Sequence, residues 1–255
     1  MKVSIIFRTY NRYTYTKWAL ETLREYTYWN LVNEFFVGDA GSTDGTRNLC
    51  KQYAHKFNEK GFDGSWELYD APPKNVALNL RLGVEKAKSE YIVVCDNDVL
   101  YAPNWLDRAV KAAEIGRKFE YWIISYQMPS TNIARVGPPI LINEKDRLVP
   151  VAHVGGLVIA PRDLLLSENA FGHLGDHNQQ FFGWWDWQQG YKEHCAAIRP
   201  DSGCYPMEYG YHVPHRYKYA EARTKEPLVR MALAENLEEL KLEYLQKGWM
   251  RWIPI

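Results

Sequence analysis

The run YIVVCDNDV, Tyr91 to Val99, places five largely apolar residues directly before two aspartates that are separated by one asparagine. A continuous apolar run of this length is typical of a strand that is buried on both faces, as in a parallel sheet. Ligands of such sheets bind beyond the carboxyl ends of the strands, which is where Asp96 and Asp98 lie. Since side chains alternate along a strand, we expect both carboxylates to point into one crevice.

Two carboxylates at a strand end match the ligand preference of Mg²⁺ or Mn²⁺. These hard cations usually take one or two protein carboxylates and complete their coordination with substrate phosphates and water. The short sequence DND is equally compatible with an ordinary turn, so the motif alone leaves both interpretations open.

Short β-rich runs alternate with helix-length segments on both sides of this strand. Strands are predicted in KVSIIF, NEFFVGD, WELYD, YIVVC and YWIISY, and helices around 14–26, after Asp44, around 76–88 and from near Pro103. Strands separated by helical crossovers indicate an α/β fold with a doubly wound, mostly parallel sheet.

The alternation stops near Pro129, where Gly- and Pro-containing loops, an isolated run VGGLVIAP and an aromatic, His-bearing region follow. We interpret this second part as an acceptor-side lobe or a lid. The tail from Pro227 to Lys247 has apolar residues at helical spacing and is predicted to be a helix. We expect that helix to pack on the domain or on a second chain, as in a homo-oligomer.

Composition excludes several classes of protein. The chain has 255 residues, of which 46% are hydrophobic, so one large domain with a substantial core is expected. Lys+Arg and Asp+Glu are equal at 31 each, which argues against nucleic acid as a partner. The four cysteines form no CxxC pair, and no apolar stretch reaches the roughly 20 residues that span a bilayer. We therefore expect a reduced, cytoplasmic protein.

Polar, loop-forming residues also follow the first two predicted strands. The first strand runs into RTYNR, residues 8–12, and the second into GDAGSTDGT, residues 38–46. Both loops should lie at the same edge of the sheet as DND. Asp39 can accept a hydrogen bond from a pyrimidine N3–H or a ribose hydroxyl. Alternatively, GSTDGT is only a strand-to-helix connection with one of its polar residues as the N-cap.

Taken together, VSIIFRTYNR, GDAGSTDGT and GVEKAKSEYIVVCDNDV resemble the nucleotide-sugar-binding half of a family 2 glycosyltransferase with the GT-A fold. The resemblance covers roughly the first 105 residues. Arg8 replaces the usual proline of the family pattern, Ala40 the frequent second aspartate, and Ser89 the glycine before Glu90. The first two departures touch expected donor contacts, so the identity of the donor nucleotide stays open.

The resemblance implies a donor site and a metal site at the strand ends, with Mn²⁺ or Mg²⁺ as the cofactor. Thr9, Tyr10, Arg12 and Asp39 would surround the base and ribose, and Asp96, Asn97 and Asp98 the ribose and the metal-bound diphosphate, with Asp96 and Asp98 as metal ligands. Lys74 and Arg81 are weaker candidates for charge contacts to the donor, with ordinary solvated surface as the alternative.

The segments VAHVGGLVIAPRDLL and GDHNQQFFGWWDWQQGY resemble the later block of the family, in which a helix carries an acidic pair. Asp186 is kept, whereas Trp185 stands where a second acid is common. The resemblance makes Asp186 the candidate general base of an inverting transfer, in which it deprotonates the acceptor hydroxyl. Trp184, Trp185 and Trp187 offer flat apolar faces for the sugar rings of an acceptor.

The late segment YGYHVPHRYKY carries two histidines followed by basic residues. The resemblance implies that His212 or His215 completes the metal site and that Arg216 contacts the leaving diphosphate. Local hydrogen bonding in an aromatic loop is the alternative role for the histidines.

The sequence therefore predicts a metal-dependent, inverting glycosyltransferase that moves a sugar from a nucleoside-diphosphate donor to a carbohydrate or lipid-linked acceptor, with peripheral membrane contact as a further expectation. Residues 1–125 would form the nucleotide-sugar-binding half, 126–225 the acceptor and catalytic half of the same domain, and 226–255 a helical tail. The alternatives are a retaining transferase on the same fold, a sugar-1-phosphate nucleotidyltransferase and a non-catalytic carbohydrate-binding protein.

Overall fold

The computed structural model describes residues 1–72, 76–126, 137–144, 146–151, 157–167, 194–199 and 204–206. Several sequence predictions lie outside the described residues, namely those for Lys74, Trp184, Trp185, Asp186, Trp187, His212, His215, Arg216 and the helical tail.

Strands and helices alternate in the first half of the chain, as the sequence predicts. The elements are β1 (Val3–Thr9), α1 (Tyr13–Tyr26), β2 (Val32–Asp39), α2 (Thr46–Asn58), β3 (Ser65–Asp70), α3 (Val76–Lys86), β4 (Tyr91–Asp96), β5 (Val99–Tyr101) and α4 (Trp105–Gly116). Single turns of 3₁₀ helix lie at Trp29–Leu31 and Arg117–Phe119.

The second half contributes shorter elements. These are β6 (Ile123–Tyr126), β7 (Ile140–Leu141), β8 (Arg147–Pro150), β9 (Val158–Pro161), α5 (Arg162–Leu166), β10 (Cys195–Arg199) and β11 (Cys204–Pro206). In the described part of the chain, no helix combines the length and the apolar character needed to cross a bilayer.

A nine-stranded sheet has the order β3-β2-β1-β4-β9-β6-β10-β8-β7, and β11 pairs with β5 in a separate ribbon. Within the group β3-β2-β1-β4, each pair of neighbouring strands is parallel. Strand β9 runs antiparallel between β4 and β6, and β8 runs antiparallel to β10 and β7. Strand β10 is parallel to β6, so β9 and β8 run opposite to the other seven strands of this sheet. The sheet is therefore mostly parallel in strand direction, which confirms the predicted fold class.

The apolar run of β4 is continuous because both faces of the sheet are covered. Val93 and Cys95 pack into the core on the side of α1, α2 and α4, whereas Ile92 and Val94 pack on the side of α3 and α5. All four side chains are almost fully buried. Burial of one such aliphatic side chain contributes about 1.5–3 kcal/mol to the stability of the fold. The central strands therefore give stable support to the loops that follow their carboxyl ends.

Buried thiols belong to this core. Cys50, Cys95 and Cys195 are buried and unpaired by disulfides. Burial raises the pKa of the Cys50 and Cys195 thiols to about 12 and also raises the pKa of Cys95. These thiols are therefore neutral near pH 7 and pack as small apolar groups, without the thiolate character that a nucleophile needs.

Candidate active site

Three neighbouring strands, β2, β1 and β4, end at the same edge of the sheet. The strand register places Thr9 beside Asp39 and Arg8 beside Asp96. The loops after these strands, residues 10–12, 40–45 and 97–98, therefore meet at one rim. This rim brings together Thr9, Tyr10, Arg12, Asp39, Asp96, Asn97 and Asp98, which the sequence selects as donor-site residues.

Both aspartates of DND form ion pairs with arginines from the first strand and its loop. Arg8 Nε donates to Asp96 Oδ1, and Arg12 Nη1 donates to Asp98 Oδ2 at 2.7 Å. The two aspartate side chains are each only 16% exposed, so water screens these pairs less than it screens surface pairs. The rim therefore holds two carboxylates whose charges are compensated by guanidinium groups.

The orientation of Asp98 does not come from strand alternation. Strand β4 ends at Asp96, and residues 97 and 98 form a turn. The ion pair with Arg12 fixes Asp98, and the Tyr101 hydroxyl donates to the Asp96 carbonyl oxygen at 2.9 Å across the turn. Asp96 and Asp98 thus lie at one rim, as predicted, for a different geometric reason.

Asn97 points into the protein between the two aspartates. It is 8% exposed, and its side-chain amide donates to the Asn11 carbonyl oxygen at 3.3 Å and to Thr16 Oγ1 at 2.8 Å. These bonds attach the DND turn to the loop after β1. The predicted contact of Asn97 with a donor stays a prediction.

Hydrogen bonds connect the loop after β1 to the loop after β2. The Asn11 backbone N–H donates to Ser42 Oγ, and the Thr43 N–H donates to Asn11 Oδ1, both at 2.8 Å. Asn11 and Arg12 have φ angles of 52° and 65°. This left-handed conformation costs a non-glycine residue about 1–2 kcal/mol, so the inter-loop bonds stabilise a turn that brings Arg12 to Asp98.

The Asp39 carboxylate is buried inside its own loop. It accepts hydrogen bonds from Ser42 N at 3.1 Å and Ser42 Oγ at 2.5 Å, and Arg47 Nη1 lies 3.4 Å from it. Arg47 also pairs with Asp70 at 2.5 Å. Asp39 therefore orders the loop at residues 40–45, and its predicted contact with a base or ribose stays a prediction.

A buried hydrogen-bond network fixes the end of β2 just before Asp39. Asn79 Nδ2 donates to the Gly38 carbonyl oxygen, and the Tyr69 hydroxyl donates to Asn79 Oδ1, both at 3.0 Å. Burial raises the pKa of Tyr69, so its hydroxyl keeps the proton that it donates. A Cβ atom at Gly38 would lie 1.9 Å from Asn79 Oδ1, which explains the glycine at this position.

Thr9 carries a buried hydroxyl beside Asp39. The residue is 3% exposed, and its Oγ1 has no hydrogen-bond partner among the described residues. An unsatisfied buried hydroxyl typically costs about 1–3 kcal/mol. The hydroxyl oxygen is closed off from solvent, and the predicted contact of Thr9 with a donor stays a prediction.

Asp44 bonds the first turns of two helices at this rim. Its carboxylate accepts hydrogen bonds from the backbone N–H of Tyr13 at 2.9 Å and of Thr46 at 3.1 Å, the first residues of α1 and α2. A negative charge at a helix N-terminus is also favoured by the helix dipole. One side chain thus accepts hydrogen bonds from the first backbone N–H groups of both helices that follow the rim loops.

Replacing Asp44 with alanine is expected to lower the free energy of unfolding by about 1–2 kcal/mol, because two helix N-termini lose their acceptor. Urea denaturation followed by circular dichroism measures the change. Asp63→Ala, at an exposed aspartate, is the matched control and should leave the stability nearly unchanged. Equal stability of the two variants would contradict the role assigned to Asp44.

Arg81 forms contacts away from the DND turn. Its guanidinium donates to Glu85 Oε1 at 2.6 Å and to the Leu166 carbonyl oxygen at 3.0 Å. The first bond lies within α3, and the second ties α3 to the end of α5. The predicted charge contact of Arg81 with a donor stays a prediction.

Two arginines of the rim were not selected as site residues by the sequence. Arg8 was noted only as a departure from a proline, yet it pairs with Asp96, and Arg47 pairs with Asp39. A signal for Arg8 exists once β1 and β4 are taken as parallel neighbours that start in register, since Arg8 follows Val3 by as many residues as Asp96 follows Tyr91. Arg47 follows the polar loop directly and has no comparable signal in the sequence.

The residues at the rim fit the ligand chemistry of Mg²⁺ or Mn²⁺ when phosphates complete the coordination. Asp96 and Asp98 would offer such a cation two hard carboxylate oxygens from one turn, and one or two protein carboxylates is the number it usually takes at a phosphate site. Among the described residues, no group of three or more His, Cys, Asp or Glu side chains is placed to hold a metal ion. The rim therefore suits a cation that is shared with a phosphate ligand.

Comparison with known proteins identifies the family of the chain. The sequence profile described as glycosyl transferase family 2 matches residues 4–155, which is more than half of the chain. The chain belongs to this family. The family 2 region includes β1 to β4 and every described rim residue discussed above.

Curated relatives of this family 2 chain match in the same region. EpsH of Bacillus subtilis (strain 168), whose name describes a glycosyltransferase, is 25% identical over 111 residues. The alignment covers 44% of this chain and 30% of EpsH, so the chain spans less than a third of the length of that relative.

Solved structures show the same fold at low sequence identity. The mannosyltransferase PcManGT from Pyrobaculum calidifontis, in complex with GDP-Man and Mn²⁺, has a TM-score of 0.57 and 21% identity, covering 96% of this chain and 69% of that one. Residues 1–349 of S. aureus TarS, in complex with UDP-GlcNAc, have a TM-score of 0.57 and 18% identity, covering 97% and 72%. A longer TarS chain is covered to 36%. The predicted family and the GT-A fold are confirmed.

Proposed function

We propose that this family 2 protein transfers a sugar from a nucleoside-diphosphate donor that binds at the carboxyl rim of β1, β2 and β4. The observation that carries the proposal is the pair of half-buried carboxylates, Asp96 and Asp98, placed beside two guanidinium groups on that rim. The structures of similar fold support the class of donor, since PcManGT is in complex with GDP-Man and Mn²⁺ and TarS is in complex with UDP-GlcNAc.

In this proposal, Asp96 and Asp98 hold Mn²⁺ or Mg²⁺. When bound, the cation supplies positive charge that offsets the charge of the departing diphosphate. The chain itself supplies further positive charge at the rim through Arg8 and Arg12, which form ion pairs with the two carboxylates. Guanidinium groups bind phosphate oxygens well because their planar donors match two oxygens at once.

The base and ribose of the donor would bind where β1 and β2 end. Thr9 offers a buried hydroxyl there, and Tyr10 lies half-buried next to it. Asp39 positions the loop at 40–45 through Ser42 and carries the acceptor oxygens expected for a ribose or a pyrimidine. Because UDP and GDP both carry a ribose, titration with each of them identifies the donor nucleotide.

For the acceptor half, we propose an inverting transfer to a carbohydrate or lipid-linked hydroxyl. The acceptor oxygen attacks the anomeric carbon from the face opposite the leaving nucleoside diphosphate, and Asp186 takes the hydroxyl proton. Trp184, Trp185 and Trp187 would stack on acceptor sugar rings. This part of the proposal is supported by the resemblance of residues 175–191 to the later block of the family.

Release of a nucleoside diphosphate from UDP- and GDP-sugars tests the proposed function. With Mn²⁺ present, we expect the purified protein to hydrolyse or transfer at least one donor sugar and release UDP or GDP, and to lose this activity with EDTA. The Asp98→Asn variant serves as the background control. The proposal would be wrong if no donor released its diphosphate and neither UDP nor GDP bound. Release of pyrophosphate from a nucleoside triphosphate and a sugar 1-phosphate would instead identify a nucleotidyltransferase.

A further inference from the structure

Arg8 occupies a position from which its charge acts directly on Asp96. The two residues lie side by side on the parallel strands β1 and β4, and Arg8 Nε donates to Asp96 Oδ1. The Arg8 side chain is 27% exposed and the Asp96 side chain 16% exposed. The pair is therefore partly shielded but open to the rim, where a ligand can reach both groups.

The four charged groups of this cluster sum to zero. Asp96 and Asp98 contribute two negative charges, and Arg8 and Arg12 contribute two positive charges. A divalent cation that joins the cluster alone creates an excess of positive charge beside two guanidinium groups. A cation that joins with a diphosphate does not, because the phosphates bring compensating negative charge.

We propose that Arg8 competes with the divalent cation for Asp96 and releases that carboxylate when its guanidinium turns to the donor diphosphate. Donor and cation then bind cooperatively, and the cation alone binds weakly. This inference rests on the proposed function, because it assigns to Arg8 the coupling of the two ligands at that site. No bond is broken in the step; one ion pair is exchanged for another.

The proposed exchange depends on which anion, the Asp96 carboxylate or the donor diphosphate, binds the Arg8 guanidinium more strongly. Arg8 Nε donates to the Asp96 carboxylate, which carries a single negative charge. A diphosphate offers the planar donors of the guanidinium oxygens of matching geometry and carries more negative charge than one carboxylate. Once Arg8 has moved, Asp96 presents an uncompensated carboxylate to the cation. A guanidinium next to a carboxylate typically lowers the affinity of that carboxylate for a proton by about 10- to 1000-fold. A divalent cation should be affected in the same direction, at least at the lower end of this range.

Variants of Arg8 change this charge with little effect on the fold. The backbone of β1 at Arg8 is paired on both sides, with Gly38 and with Asp96, and these pairings do not depend on the side chain. Arg8→Gln keeps a polar side chain of similar length without the charge. Arg8→Ala provides a second variant that removes the side chain entirely.

The test is a calorimetric titration of Mn²⁺ into wild type, Arg8→Gln and Arg8→Ala, without nucleotide and then with UDP or GDP. We expect both variants to bind Mn²⁺ alone about tenfold more tightly than wild type. We also expect nucleotide to increase the Mn²⁺ affinity of wild type much more than that of the variants. Circular dichroism confirms that each variant is folded before titration.

Arg24→Gln is the matched control for charge. Arg24 lies on α1, the helix that begins at the rim, and pairs with Glu59 at the end of α2. It follows Arg12 by 12 residues, which is about 18 Å along the helix axis. This variant should bind Mn²⁺ like wild type. A gain in Mn²⁺ affinity as large as that of the Arg8 variants would assign the effect to net charge and overturn the inference.

The other outcomes separate the inference from the proposed function. Unchanged Mn²⁺ affinity in both Arg8 variants would overturn the competition, even if wild type binds UDP or GDP with Mn²⁺ as the proposed function requires. Mn²⁺ binding to wild type that is equally tight with and without nucleotide would overturn the coupling. Failure of wild type to bind either nucleotide under any condition would instead overturn the proposed function, while the titration with Mn²⁺ alone still decides the competition.

Discussion

Replacing Asp186 with asparagine is expected to reduce turnover by about 10²- to 10⁴-fold while donor affinity stays nearly unchanged. Asparagine keeps the shape of the side chain and much of its hydrogen bonding but cannot accept the proton of an acceptor hydroxyl. General-base catalysis typically contributes a rate factor of this size. The loss should therefore appear in kcat, because the donor is bound by other residues, those of the rim.

The measurement compares kcat for transfer with the dissociation constant of the donor nucleotide in the same preparation. Asp163→Asn is the matched control, since Asp163 has a fully exposed carboxylate on α5, and it should retain wild-type turnover. Turnover of Asp186→Asn close to that of wild type would leave Asp186 a structural residue. That result would favour a retaining transfer, which needs no base at this position.

Local sequence patterns were sufficient to predict β1 to β4 and α1 to α4, whereas the short strand β5 was not predicted. The apolar run of β4 has no polar alternation because its two faces pack against helices on both sides of the sheet, and the same holds for β1. Helices α1 to α4 begin within about two residues of the predicted positions, where loop residues give way to helical apolar spacing. The period of the apolar residues carries this information without any tertiary contact.

The strand order of the second half could not be predicted in the same way. Strand β9, Val158–Pro161, follows β8 in the chain but inserts between β4 and β6 and runs antiparallel to both. Its short apolar run, VIAP, fits any interior strand position, because a local pattern contains no information about pairing partners. The apolar run was visible in the sequence, whereas its place in the sheet was not.

At the rim, the order of strands and polar loops in the sequence predicted which loops meet. It did not predict which charged side chains pair. The polar residues after β1, β2 and β4 had to lie together because parallel strands end at one edge. The pairs of Arg8 with Asp96 and of Arg12 with Asp98 depend on strand register and on two left-handed residues, Asn11 and Arg12. A left-handed asparagine has a weak sequence signal, and a left-handed arginine has none.

The second large effect is expected at Asp98. Asp98→Ala should weaken binding of the donor nucleoside diphosphate by at least about 100-fold and remove its dependence on a divalent cation, because a direct metal ligand is lost. Calorimetric titration of UDP or GDP with Mn²⁺ or with EDTA measures both quantities. Wild type should bind tightly only with Mn²⁺, and equal affinity in EDTA would contradict a metal at this site.

The sign of the Asp98→Ala effect separates a metal ligand from a simple charge. Arg12 Nη1 lies 2.7 Å from Asp98, so this substitution removes a negative charge from beside a guanidinium. If the rim attracted the diphosphate by charge alone, the variant would bind more tightly than wild type. Asp70→Ala makes the matched change at the end of β3, where Arg47 lies 2.5 Å from Asp70 and no metal ligand is predicted. We expect Asp70→Ala to bind the diphosphate as well as wild type or slightly better, and Asp98→Ala to bind it far more weakly. Tighter binding in both variants would mean that the rim attracts the diphosphate by charge alone and that Asp98 binds no cation.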